Sequence, residues 1–409
     1  MTLPMEGIRV LEVAQFTFVP AAGALLADWG ADVIKVEHAE RGDAQRGLVK
    51  VLGLDAVSSD SSFAPIMEGP NRGKRSIGLA LDTPEATEVL HDLIRRSDVF
   101  LTNYLPGARR KMGIDVDDVR AVNPDIVYAL GAGFAYQGPE ADKGGYDQTA
   151  FWARGGSGDG ATPADADAFP AMPAGAYGDN IGGMTIAAGV AAALFTRERT
   201  GRAPVVDVSL LGVGAWTTQF AVNLALMAGG PLPKIPPSSV GAPTNPLIGG
   251  YKTSDGRWLM LSMLQPGRYW PEFCAAAGRP DLATDERFDT AEKLMANAAI
   301  AGSLVREIVA SKTKDEWIAT LDGVGQWSVV QDAWEVGQDA SLRAVGQIAT
   351  VVDAEGVERE LVAGPVQFDR CAPSLSRAPL FAEHTDEIVT DLGYDEEQLL
   401  ALKVAGAIT

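Results

Sequence analysis

Short aliphatic runs recur along the first 210 positions, separated by longer stretches in which apolar and small residues return every three or four places. Ile8-Arg-Val-Leu-Glu-Val13, Ala31-Asp-Val-Ile-Lys-Val-Glu37, Val99-Phe-Leu-Thr102, Ile126-Val-Tyr-Ala-Leu130 and Val205-Val-Asp-Val-Ser209 are short and rich in β-branched residues, which predicts strands. Between them, Ala21 to Trp29, Thr83 to Ser97, Val116 to Ala121 and residues 180 to 199 predict helices, with a turn at Pro106-Gly107. This alternation predicts an α/β fold with a parallel sheet, because parallel neighbours need a crossover connection between them.

The pattern breaks at about 228 to 248. Gly229-Gly-Pro-Leu-Pro-Lys-Ile-Pro-Pro-Ser-Ser-Val-Gly-Ala-Pro-Thr-Asn-Pro246 is too rich in Pro and Gly for regular structure and reads as a linker. Beyond it, Gly250 to Ser262 carries a hairpin signal at Asp255-Gly256, and Tyr269 to Ala277 and Asn297 to Ala310 predict helices. These make a smaller α+β unit. A strand pair over Ala349 to Leu361 and a helix from about His384 to Leu392 follow, and no internal repeat is visible.

Composition narrows the role. At 409 residues, 46% hydrophobic and 22% charged, the chain exceeds what one compact core usually organises, so two domains are expected. A net charge of −20 argues against nucleic acid or an anionic membrane as the main partner, and makes local basic clusters stand out. The two cysteines, Cys274 and Cys371, are far apart and fit a reducing compartment, and the N-terminus lacks a basic-then-apolar signal. No uninterrupted apolar run reaches membrane-spanning length. The expectation is a cytoplasmic protein with no nucleic-acid or membrane partner. His38, His91 and His384 show no ligand spacing, so no metal is expected.

One carboxylate is singled out by position. Asp179 stands at the mouth of the longest predicted helix, where Asp179 or Asn180 would cap the free N–H groups while Arg197 and Arg199 close the other end. The positive end of the helix dipole would favour its ionised form, keeping a nucleophile or base at neutral pH; an ordinary helix cap is the competing reading. Gly182, Gly183 and Gly189 lower helix propensity and imply a close approach by another element or a ligand. No P-loop, His-Glu-x-x-His, G-x-G-x-x-G or G-x-S-x-G motif is present.

Several segments together resemble the class III CoA-transferases, which include formyl-CoA transferase, carnitine CoA-transferase and bile-acid CoA-transferase and are related to the α-methylacyl-CoA racemases. They are Gly7-Ile-Arg-Val-Leu-Glu, Leu26-Ala-Asp-Trp-Gly-Ala-Asp-Val-Ile-Lys-Val-Glu37, Asn71-Arg-Gly-Lys-Arg-Ser76, Asn103-Tyr-Leu-Pro-Gly107, Gly145-Tyr-Asp147 and Arg199-Thr-Gly-Arg202. The match is collinear over nearly the whole chain. The resemblance implies CoA transfer from an acyl-CoA donor to a carboxylic acid acceptor, with Asp179 as the nucleophile. It also implies an interlocked homodimer whose Rossmann-like large domain is built from both chain ends. The corresponding boundaries are 1–225, a small domain with its linker over 226–335, and a return over 336–409.

The same resemblance places Asn71, Lys74, Asn103, Tyr104 and Lys111 at CoA contacts. The basic runs Arg72-Gly-Lys74-Arg75 and Arg109-Arg110-Lys111 would then meet the phosphates, against a competing reading as solvated surface. His38 stands where the formyl-CoA branch has arginine, and Thr17 where it has glutamine. Thr17 and Phe18 would wall the active site, and Gly249-Gly250 would match a mobile glycine loop over the substrate or, more simply, a bend before a strand. Phe18, Phe151 and Trp152 read either as an apolar acceptor wall or as core. Asp147 reads as a second active-site carboxylate or a turn residue. Racemases of this family have histidine at the position of Tyr146, and a tyrosine with its ordinary pKa near ~10 is a poor base at neutral pH, so transfer is favoured over racemisation. The surrounding segments look most like the branch acting on aryl-lactates, 2-hydroxy acids and bile acids, which implies a bulky acceptor. A non-catalytic CoA-binding protein is the reading from another class, and it has no use for a reactive Asp179.

Overall fold

The computed structural model describes residues 3–48, 50–51, 54–55, 62–164, 166–234 and 245–409. Most of the segment expected to be a linker, residues 235–244, lies outside the described residues. The chain forms two compact units, one from Met1–Thr162, Phe169–Leu232 and Asp339–Thr409, the other from Pro163–Ala168 and Pro233–Gln338.

The large unit is built on six strands: β1 (Arg9–Val13), β2 (Asp32–His38), β3 (Arg75–Leu79), β4 (Val99–Thr102), β5 (Val127–Ala132) and β6 (Val205–Ser209). They lie in the order β3-β2-β1-β4-β5-β6, every pair parallel. The fold is therefore α/β, and the sheet is covered on both faces. In β5, Val127 and Ala129 join one core while Tyr128 and Leu130 join the other, the period of two expected of a doubly buried strand.

Helix α1 (Phe18–Asp28) packs on the first face with α6 (Tyr177–Thr200). The glycines of α6 are the reason they approach so closely. A Cβ on Gly182 would sit 2.3 Å from the Phe18 ring, and one on Gly183 would sit 2.6 Å from Ala21 Cβ. The close approach is made by α1 at Gly182 and Gly183, and by Val206 of β6 at Gly189.

Between β2 and β3 runs α2 (Pro65–Asn71). The second face carries α3 (Pro84–Arg95), capped by the Thr83 side chain, and α5 (Val116–Val122). Between them lies α4 (Pro106–Met112), where the sequence suggested a turn: Pro106 opens the helix, since the N–H that proline lacks has no intrahelical partner at that position.

After β6 come α7 (Leu210–Thr217) and α8 (Gln219–Ala228). Among the described residues no single helix is long and apolar enough to cross a membrane, although α7 and α8 together are apolar and meet at 75°.

The small unit holds β7 (Ile248–Lys252), β8 (Trp258–Ser262) and β9 (Trp327–Val329) in an antiparallel sheet, order β9-β8-β7. Asp255-Gly256 makes the β7–β8 connection, with Gly256 at φ +79°. Helices α9 (Pro266–Ala276), α10 (Ala298–Val309) and α11 (Lys314–Thr320) bury Trp270, Phe273 and Trp317 with Tyr251.

The last part of the large unit adds an antiparallel pair, β10 (Ile348–Val352) with β11 (Glu358–Val362), and helix α12 (Thr385–Asp391). A further helix, α13 (Glu396–Val404), was not signalled by apolar spacing: of its nine residues only Leu402 is buried.

Candidate active site

The chain runs outward along the sheet from β1 to β2 and β3, then returns beside β1 as β4, so strand order reverses between β1 and β4. Ligand crevices in open parallel sheets form outside the carboxyl ends of strands at such a point. A cavity of about 310 Å³ opens there, walled by Gln15 and Phe16 after β1, Asn103 and Tyr104 after β4, and Gly131 to Gly133 at the end of β5. Asp179 also lines it.

Helix α6 begins earlier than the sequence suggested. Ala176, at φ +58°, is its first flanking residue, so Asp179 is the third helical residue and neither it nor Asn180 caps the helix through its side chain. The carboxylate is thereby turned toward the cavity, half-buried. Burial, reinforced by the nearby Asp147 carboxylate, raises Asp179 to about 7. The positive helix end alone would lower it, but desolvation penalises this carboxylate more than the helix end stabilises it.

Asp147 is 7% exposed and opens a π-helical turn, Asp147–Ala153. Its Oδ1 accepts from the Gln148 N–H at 2.7 Å, while Oδ2 is buried with no hydrogen bond of normal geometry. Burial raises its pKa against the lowering effect of the Gln148 and Tyr177 N–H groups. The two carboxylates thus repel one another in a partly dry site.

Phe18, Asn103, Tyr104 and Tyr146 line the same cavity as Asp179. Asn103 exchanges two hydrogen bonds with the backbone of Gln15, at 3.1 and 2.6 Å, which ties the β4 loop to the β1 loop. Burial pushes the Tyr104 phenol up to about 12. Phe151 and Trp152 are in the core: Phe151 fills the space over Gly178 and meets Tyr177 edge-on.

Four of the basic residues, Arg72, Lys74, Arg75 and Arg109, have acidic partners within the chain. Lys74 is buried and donates to both Glu12 oxygens at 2.8 and 2.7 Å, to Pro20 O at 2.9 Å and to Asn71 Oδ1 at 3.3 Å. Asn71 is fully buried and donates to Met67 O. Arg72 pairs with Asp28 at 2.6 Å, and Arg75 with Asp32, Glu387 and Asp391. Arg109 is buried against Asp115 at 3.0 Å, whereas Lys111 is exposed. The His38 Nε2 lies 2.7 Å from Arg41, and the Thr17 hydroxyl donates to Gln45 at 3.0 Å. Gly249 and Gly250 are paired in β7 with Leu261 and Met260, a strand rather than a loop.

Arg109, from the basic run expected at the phosphates, lines the cavity, whereas sequence reasoning missed Gln15, Phe16 and Lys143. The position of Gln15 and Phe16 just beyond a strand end was the available signal. Among the described residues, no group of three His, Cys, Asp or Glu side chains is placed to hold a metal ion.

Comparison with known proteins identifies the family. The pattern of the family described as CoA-transferase family III matches residues 5–385. The (R)-2-hydroxy-4-methylpentanoate CoA-transferase of Clostridioides difficile is 31% identical over 406 residues, covering 97% of each chain. The cinnamoyl-CoA:phenyllactate CoA-transferase of Clostridium sporogenes is 31% identical over 402 residues, covering 97% of this chain and 95% of its own. A crystal structure of a CAIB/BAIF family protein from Brucella suis superposes with a TM-score of 0.80 at 28% identity, covering 96% of this chain and all of that one. With the sheet, the cavity at its switch point and whole-length relatives in agreement, the chain belongs to CoA-transferase family III and is an enzyme of that class.

Proposed function

We propose that this enzyme moves CoA from an acyl-CoA to a bulky apolar, aryl or 2-hydroxy carboxylic acid through covalent intermediates on Asp179. The observation that carries the reading is Asp179 itself: a half-buried carboxylate in the cavity wall, with a pKa poised near neutrality. A carboxylate oxygen attacks the thioester carbonyl, the C–S bond breaks, and CoA thiolate leaves a mixed anhydride. The thiolate then attacks the Asp179 acyl carbon, releasing the donor acid and forming an aspartyl-CoA thioester. The acceptor carboxylate attacks that thioester, and the thiolate expelled closes the cycle on the acceptor acyl carbon. Each step conserves charge, and no external base is required.

Asp147 serves this cycle by raising the Asp179 pKa and so making its carboxylate more nucleophilic once ionised. Asn103, Tyr104 and Tyr146 line the acyl-CoA path, and Arg110 and Lys111, both exposed, supply charge for phosphates. The named substrates of the two relatives, a branched 2-hydroxy acid and phenyllactate, support an apolar acceptor. The sheet order supports the Rossmann-like description, and a cytoplasmic location belongs to the same reading.

Incubation with a panel of acyl-CoAs, followed by peptide mass spectrometry, tests the cycle. Hydroxylamine-sensitive acyl or CoA mass on the peptide bearing Asp179 is expected. No adduct, with α-proton exchange of a 2-methylacyl-CoA in deuterated water, turns the assignment to the racemase branch.

We also propose that the working form is a homodimer. Every residue of α8 is at least partly exposed, with Phe220 at 79%, Leu226 at 75% and Met227 at 80%, a surface that a second copy would cover. Light scattering is expected to give about twice the 43.0 kDa chain mass, and a monomer mass removes the proposal.

A further inference from the structure

Phe16 has a backbone conformation that its side chain disfavours. Its φ is +64°, the left-handed region that glycine enters freely and that costs other residues on the order of 1 kcal/mol. Three neighbours hold it there. The Phe16 N–H donates to Asp43 Oδ1 at 3.1 Å, and Asp43 is itself fixed, 1% exposed, paired with Lys35 at 2.8 Å and accepting from the Gln45 N–H at 2.9 Å. On the preceding residue, Gln15 is clamped by Asn103. The ring meets Tyr146 edge-to-face, centroids 5.7 Å apart at 85°.

A strained residue in a cavity wall persists only where its surroundings over-determine it, and such positions cluster at ligand sites. The Phe16 N–H is already taken by Asp43, so it is not available as an oxyanion donor. What the position contributes is the ring. Phe16 lines the cavity with Asp179, and Tyr146, 62% exposed, extends the wall outward. An anchored ring beside an open one presents an edge and a face to an incoming apolar group, the arrangement aromatic pairs prefer.

We propose that Phe16 is a specificity-determining residue: held by Asp43 against Tyr146, it forms the wall on which the aryl or branched part of the substrate acid packs, selecting it over small acyl groups. This rests on the transferase reading for the identity of the cavity, and the test separates the two. Calorimetry measures binding of 3-phenylpropionyl-CoA and acetyl-CoA to the intact protein and to Phe16→Gly and Phe16→Leu. Glycine fits φ +64° without strain, so Phe16→Gly is expected to keep or raise the thermal midpoint.

The affinity ratio, phenylpropionyl over acetyl, is expected to fall about tenfold or more in Phe16→Gly and by less in Phe16→Leu, which keeps apolar volume. An unchanged ratio, or an equal loss for both ligands, overturns the proposal. CoA transfer from the same two donors to a free acid is measured alongside. A shifted binding ratio without transfer leaves Phe16 as the selector and removes the transferase cycle.

Discussion

Asp179→Ala is expected to lower kcat for CoA transfer by at least about 10³-fold while leaving the fold and the binding of acyl-CoA in place. Every covalent step proposed for the cycle forms or breaks a bond to this side chain, so no neighbouring group can take over part of its work. Asp147 lies too deep to substitute, at 7% exposure.

The same group sets the pH profile. Below about 7 Asp179 is largely protonated and a poor nucleophile, so kcat/KM is expected to rise with pH through a midpoint near 7. Asp147→Asn removes the like charge that adds to burial, and the midpoint moves down.

Stability carries the opposite sign. A carboxyl whose folded pKa lies above its ordinary 3.8 is unpenalised below 3.8, and the chain loses stability as pH climbs from there to about 7. Asp179→Asn is therefore expected to be the more stable protein at pH 8, by about 1–2 kcal/mol after allowing for partial solvent screening. A flat rate profile, or an Asp179→Ala enzyme that turns over normally, removes Asp179 from the chemistry.

Much of this was legible before the structure. Alternating aliphatic runs gave the parallel sheet because a strand buried on both faces has few polar positions to disguise it, as in Val99 to Thr102. Asp179 was legible because a helix of 24 residues makes its own first turn conspicuous. Three things were hidden. The left-handed φ of Phe16 leaves no mark on residue type, since glycine is its ordinary signal. The pKa of Asp179 depends on the depth of a cavity and on Asp147, 32 positions away in sequence. The third was the role of the charged residues in the family-like segments. Glu12, Lys35, Glu37, Asn71, Lys74 and Ser76 come from three separate stretches, and lysine in isolation reads as surface. In the fold they form one buried network: Lys35 and Lys74 share Glu12, Lys35 also pairs with Asp43, and Glu37 accepts from Ser76 and from the Asp43 N–H.

That network is where the largest loss of stability is expected. Glu12 and Lys35 are fully buried and Lys74 is 4% exposed. Gly23 exists at its position in α1 because a Cβ there would lie 2.1 Å from Glu12 Oε2. Glu12→Ala leaves two ammonium groups facing each other in a dry interior. Lys35 keeps Asp43 and the Ala14 carbonyl, but Lys74 keeps only neutral acceptors, Pro20 O and Asn71 Oδ1. Stranding a buried charge costs about 3–5 kcal/mol, a large part of a typical folding free energy, and urea unfolding of the large unit should show it.

The cause can be separated from a mere cavity by pH. Burial already lowers Lys74 to about 8, and loss of Glu12 lowers it further. With a folded pKa below the ordinary 10.5, the unfolded chain binds more protons between the two values, so stability rises with pH across that window. The intact protein rises in the same way above about 8, so the deficit of Glu12→Ala relative to it is expected to shrink as pH climbs toward about 8 and to stay level beyond. Lys74→Met added to Glu12→Ala should recover part of it at pH 7, because a buried pair replaced on both sides leaves no charge unpaired. A deficit independent of pH and untouched by Lys74→Met would assign the loss to packing. The network matters beyond stability because Asp43, one of its members, holds the Phe16 N–H: buried charge fixes the wall of the cavity in which Asp179 works.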